Sequence, residues 1–121
     1  MNLMDTDIII QMLREKKYNP GLISPITLIE ILRGIETEKR PKVKQLLEES
    51  FPLLNLDNST IETYCTIFQR LKKEGNPLPE ADLLVAATAI AHNLPLETRD
   101  AHFQRLKPMG LQLKKSQQPR I

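Results

Sequence analysis

The chain of 121 residues contains one cysteine, Cys65, so no internal disulfide can form and the fold must rest on packing alone. A reducing cytoplasm is the expected compartment. Tryptophan is absent and aromatic residues make up only 4% of the chain, which argues against base stacking as the main mode of any nucleic-acid contact. No apolar run approaches the roughly 20 residues of a membrane span, and the opening residues lack the basic and apolar regions of a secretory signal. No membrane partner is expected. Charge of one sign is also lacking: the net charge of +2 and a pI near 8.8 permit contact with nucleic acid without announcing it. The basic clusters at 14–17, 39–44 and 70–73 serve equally as solvated helix ends or as a phosphate-binding rim.

What is present suffices for a core. With 40% apolar residues the chain is expected to form one domain, residues 1–115, with a polar tail at 116–121. Residues 2–4 read as a short strand, and Asp7 as the N-cap of a helix from Ile8 to Glu15. A brief strand at 22–23 precedes Ser24-Pro25, a helix-start signature, with the helix running to about Gly34. The spacing of Val43, Leu46, Leu47 and Phe51 predicts a helix over 42–50, followed by a strand at 52–56. Asp57 caps a helix that aligns Ile61, Tyr64, Cys65, Phe68 and Leu71 on one stripe, where Cys65 is expected to be a buried, inert thiol. An alanine-rich helix over 79–92, a strand at 94–98, a short helix at 101–106 and an edge strand at 110–114 complete the pattern. Helices between short apolar strands predict an α/β fold, a central parallel sheet flanked by helices on both faces.

Four acids stand in or beside apolar segments: Asp5, Glu30, Asp82 and Asp100. A buried, unpaired carboxylate costs several kcal/mol or takes up a proton, so four of them ask for a cation. Oxygen donors without a cysteine or histidine cluster suit a hard ion such as Mg2+ or Mn2+. In open α/β sheets ligands bind beyond the carboxyl ends of the strands, where Asp5 and Asp100 fall; Glu30 and Asp82 can reach the same edge from helices, with the small residues Ala86 and Ala87 allowing close packing. Such a site can hydrolyse a phosphodiester, because a divalent ion acidifies a water and polarises the phosphoryl oxygen.

The segments Asp5-Thr-Asp7 after a strand, Thr27-Leu-Ile-Glu-Ile-Leu-Arg-Gly34, Asp82-Leu-Leu-Val-Ala-Ala87 and Thr98-Arg-Asp100 with Phe103 resemble, in order and spacing, the motifs of PIN-domain nucleases. Within these they are most similar to the VapC toxins of prokaryotic toxin–antitoxin pairs, over about residues 2 to 114. The resemblance implies a metal-dependent endoribonuclease that leaves a 5′-phosphate and a 3′-hydroxyl, with Asp5, Glu30, Asp82 and Asp100 as the catalytic and metal-binding quartet. It also implies a homodimer and a cognate antitoxin that occupies the active-site groove. One departure is Asp7, where the family often has asparagine; it adds either a fifth carboxylate or a helix cap.

Further residues around the quartet are candidates. Thr6 and Thr98 can orient carboxylates or bond to local backbone. Arg33 and Arg99 can meet phosphate, and Arg33 can instead pair with Glu30 one turn away. His92 and His102 read as surface or cap residues. Each acid also has a local reading, Asp82 as a cap and Asp5 and Asp100 as turn formers. Two other functions share parts of the pattern. A PIN-like scaffold would bind RNA or protein without cutting. A receiver-type signalling domain would use Asp5, Asp7, Asp57, Thr88 and Lys107, but leaves Glu30 without a role.

Overall fold

The structure is a computed structural model that describes residues 1–115; the tail expected at 116–121 lies outside the described residues. Three strands, β1 (Leu3–Met4), β2 (Leu96–Thr98) and β3 (Leu113–Lys115), form a parallel sheet in the order β1-β2-β3. Leu3 lies opposite Leu96 and Met4 opposite Glu97, while Thr98 lies opposite Lys115. The strands expected at 22–23 and 52–56 are reduced to single bridges, Leu3 with Leu22 and Ile23 with Leu53. Proline at position 52 has no N–H to give, so it only accepts from Ile23 N–H, and the ladder ends once Leu54 N–H reaches the Ile23 carbonyl.

The α-helices are α1 (Thr6–Glu15), α2 (Pro25–Leu32), α3 (Arg40–Ser50), α4 (Asn58–Lys73) and α5 (Glu80–Ala91), and a 3-10 helix spans Ala101–Met109. The start of α2 follows from its residues: Ser24 Oγ accepts Thr27 N–H at 3.1 Å and Pro25 supplies the pre-set first position. Asp57 likewise caps α4 through Thr60 N–H at 2.9 Å. The cap of α1 is Asp5, not Asp7. Asp5 is still extended at the strand end (φ −72°, ψ 160°) and accepts Thr6 N–H at 2.9 Å, so the helix begins two residues before the expected Ile8. Asp7 is exposed in its first turn.

Adjacent strand residues point to opposite faces, and two cores result. Leu3 and Leu96 join Ile67, Leu71, Leu83, Val85, Phe103 and Leu106 on one side, covered by α4, α5 and the 3-10 helix. Met4 joins Ile8, Ile9, Met12, Ile31, Leu47 and Phe51 on the other, covered by α1, α2 and α3.

The stripe expected to bury α4 is largely outside the core. Ile61 and Phe68 are 53% and 44% exposed and Cys65 is exposed; of the expected set Leu71 is buried and Tyr64 partly so, and Thr60 and Ile67, outside it, also face inward. Both sets obey helical spacing. Only the packing of α4 on α5 selects between them, and it selects the set that includes a threonine.

Candidate active site

The backbone brings the acids to one edge. Asp5 follows β1, where its N–H donates to the Glu97 carbonyl at 3.0 Å, and Asp100 follows β2 by two residues. Both therefore lie beyond the carboxyl ends of neighbouring parallel strands. Asp82 stands in the first turn of α5, whose Ala86 and Ala87 are fully buried. Glu30 stands in the second half of α2.

Hydrogen bonds link these carboxylates into one assembly. Thr98 Oγ1 donates to Asp5 Oδ2 at 2.7 Å and accepts Asp100 N–H at 3.0 Å, so one buried hydroxyl spans two acids. Thr6 Oγ1 donates to Glu30 Oε1 at 2.8 Å, next to the main-chain N–H that Thr6 gives to Asp5. His102 lies between the other two acids: Nε2 is 3.0 Å from Asp82 Oδ2 and Nδ1 is 2.9 Å from Asp100 Oδ1. Asp100 Oδ1 also accepts the His102 main-chain N–H at 3.1 Å. Donor atoms of Asp82, Asp100 and His102 all lie within 4.8 Å of one another.

The acids differ in solvation. Only Asp5 is buried, at 8% exposure; the side chains of Glu30, Asp82 and Asp100 keep 23%, 25% and 38%. The apolar residues flanking Glu30 in sequence do not enclose it, since Ile29 is 59% exposed. Burial pushes the Asp5 carboxyl above its ordinary range. The bonds from Thr98 and Thr6 pull it back in part, and the negative charges of Asp82 and Asp7 push it up again. A buried carboxyl perturbed in this way, beside other acids, makes this edge a candidate functional site. Among the described residues, the donor atoms close enough to share a metal ion are those of Asp82, Asp100 and His102, carboxylate oxygens with one imidazole nitrogen.

The other candidates fall as follows. Arg33 ends α2, with its side chain 72% exposed and Nη2 3.8 Å from Glu30 Oε2, so it is paired weakly at the rim. Arg99 is half-buried between Thr98 and Asp100. The reading of His102 as a surface or cap residue is corrected, because its ring touches two of the acids. Its place two residues after Asp100 is the signal that could have found it: an aspartate that caps the 3-10 helix through His102 N–H has that residue's side chain close by. His92 does lie away from the assembly, with Nε2 3.0 Å from Asp57 Oδ2. A receiver-type pocket is not assembled. Asp57 is an exposed cap, Thr88 is buried in α5 with its hydroxyl on the Leu84 carbonyl, and Lys107 is exposed on the 3-10 helix.

Comparison with known proteins identifies relatives of the chain. The PIN-domain family model matches residues 3–107. The chain is 36% identical to ribonuclease VapC1 of Methanocaldococcus jannaschii over 115 residues, 92% of this chain and 85% of that one. It is 33% identical to ribonuclease VapC of Rickettsia bellii over 121 residues, 86% of this chain and 89% of the relative. Among solved structures, VapBC-1 from nontypeable Haemophilus influenzae aligns with a TM-score of 0.79 at 27% identity, covering 94% of this chain and 96% of that one.

Proposed function

The chain belongs to the PIN-domain family, with VapC ribonucleases as its relatives, and from that premise we propose that it is a divalent-metal-dependent endoribonuclease, the toxin of a type II toxin–antitoxin pair. The observation that carries this reading is the linked assembly of Asp5, Glu30, Asp82 and Asp100 beyond the strand ends, bridged by Thr98, Thr6 and His102. Asp5, Asp82, Asp100 and Glu30 are the residues to hold Mg2+ or Mn2+. When bound, the ion supplies a polarised phosphoryl oxygen and a water acidic enough to attack phosphorus.

The protein's own groups position the reactants. Thr98 fixes the Asp5 oxygen that faces it and, through Asp100 N–H, the turn that carries Asp100; one rotamer thus holds one carboxylate and the backbone of a second acid. Thr6 holds Glu30 by one oxygen and leaves Oε2 toward Arg33 and solvent. Arg33 and Arg99 stand beside two of the acids and serve the phosphate backbone of the RNA, in keeping with a chain too poor in aromatics to stack bases.

The partners follow the same reading. VapBC complexes among the fold's neighbours support a cognate antitoxin. A homodimer is supported by the apolar residues Ile61 and Phe68, exposed on α4. Among the described residues no helix is long and apolar enough to cross a membrane, and a cytoplasmic site of action suits an RNA substrate.

The test is cleavage of a mixed structured RNA by the purified, antitoxin-free protein with Mg2+ or Mn2+, with EDTA, and by Asp82→Asn. Metal-dependent cutting that is lost in the variant supports enzyme and site together. Failure to cut, with no divalent-ion binding in calorimetry, would leave a non-catalytic PIN-like binding scaffold.

A further inference from the structure

We propose that His102 is itself a ligand of the divalent ion through Nε2, giving with Asp82 a mixed nitrogen and oxygen pair that favours Mn2+ and other transition ions over Mg2+, while Asp100 holds the ring's other nitrogen. The inference rests on the nuclease reading above and adds to it a ligand and an ion preference.

The first support is spacing. His102 Nε2 is 3.0 Å from Asp82 Oδ2, and the donor atoms of Asp82, Asp100 and His102 lie within 4.8 Å of one another. An octahedral ion with bonds of about 2.1 Å sets adjacent ligand atoms about 3.0 Å apart. The Asp82 and His102 atoms are spaced as one edge of such an octahedron, and a bound ion would replace the hydrogen bond they now make to each other.

The second support is the other ring nitrogen. Nδ1 lies 2.9 Å from Asp100 Oδ1, the carboxylate contact that fixes the tautomer and the plane of metal-bound imidazoles in general. The ring is further held by its tilted contact with the fully buried Phe103, centroids 5.6 Å apart. A histidine placed only to pack would not need its two nitrogens on two separate acids. With its side chain 38% exposed, it contributes little to the core.

Donor chemistry supplies the preference. Carboxylate oxygens alone suit Mg2+, whereas imidazole raises affinity along the series toward later transition ions. Losing His102 should therefore weaken Mn2+ binding more than Mg2+ binding.

The experiment is pulsed electron paramagnetic resonance of Mn2+ bound to the whole chain, with Mn2+ and Mg2+ calorimetry at one pH, on the wild type, His102→Gln and Asp82→Asn. Expected is a nitrogen coupling from a directly bound imidazole that disappears in His102→Gln. The variant should lose about tenfold or more in Mn2+ affinity and less than about threefold in Mg2+ affinity, with an unchanged melting temperature. Mn2+ bound by the wild type without nitrogen coupling, or bound as tightly by His102→Gln, overturns the proposal and leaves the nuclease reading intact. No binding of either ion by the wild type overturns both.

Discussion

Thr98 donates its hydroxyl to Asp5 at 2.7 Å and takes the main-chain N–H of Asp100 at 3.0 Å, so a single side chain couples the acids of two neighbouring strands. Thr98→Val keeps the shape and removes both bonds. Cleavage should fall by about 10- to 100-fold and divalent-ion affinity should fall with it, whereas Thr98→Ser should recover most of both. The unpaired groups left behind should also cost about 1–3 kcal/mol, read by urea denaturation.

Asp5 and Asp57 should bend the pH dependence of stability in opposite directions. The folded Asp5 carboxyl is raised above its ordinary 3.8, chiefly by burial, so the native state holds its proton longer than the unfolded chain. Its contribution is full below the unfolded value and is lost as pH rises through the folded one; ionised Asp5 is a net cost at neutral pH. Asp5→Asn should thus melt higher than the wild type at neutral pH while cutting no RNA. Mg2+ should raise the melting temperature of the wild type more than that of the variant. Asp57 is lowered, first by the Thr60 N–H, so its contribution is present above 3.8 and lost as pH falls through the folded value. Melts from acid to neutral pH separate the two.

On α4, Ile67 and Leu71 carry the packing and Ile61 and Phe68 do not. Leu71→Ala should cost about 2–5 kcal/mol in denaturant unfolding. Phe68→Ala should cost less than about 1 kcal/mol, and Ile61→Lys with Phe68→Ser should shift sedimentation toward the monomer.

Arg33 and Glu30 form an exposed pair at 3.8 Å, too solvated to hold the fold. Arg33→Ala should change stability by less than about 0.5 kcal/mol. If the guanidinium meets the RNA backbone, the variant should instead show a raised KM and a shallower dependence of binding on salt, with kcat nearly unchanged. Thr6→Val, which frees Glu30 Oε1, should do the reverse and lower kcat.

Signals carried by a few neighbouring residues are legible in the sequence itself. Ser24 followed by Pro25 marks the start of α2, Asp57 marks that of α4, and the apolar segments return the order of the helices and of three of the five expected strands, because caps and periodicity depend on contacts within a turn or two. Asp5, Glu30, Asp82 and Asp100 stand out for the same local reason, as charges beside apolar runs.

What depends on distant neighbours is not legible there. Two stripes of α4 satisfy one helical period and share Leu71, and only the docking of α5 decides that Ile67 is inside and Phe68 outside. Asp5 and Asp7 both have the chemistry of a cap, and the end of β1 decides for Asp5 because the backbone there is still extended. Residue type and local spacing therefore determined the elements and the four acids, since both are properties of short stretches of chain. Only the tertiary structure decided which acid is buried and that His102 stands between Asp82 and Asp100, since burial and bridging are set by groups far apart in sequence.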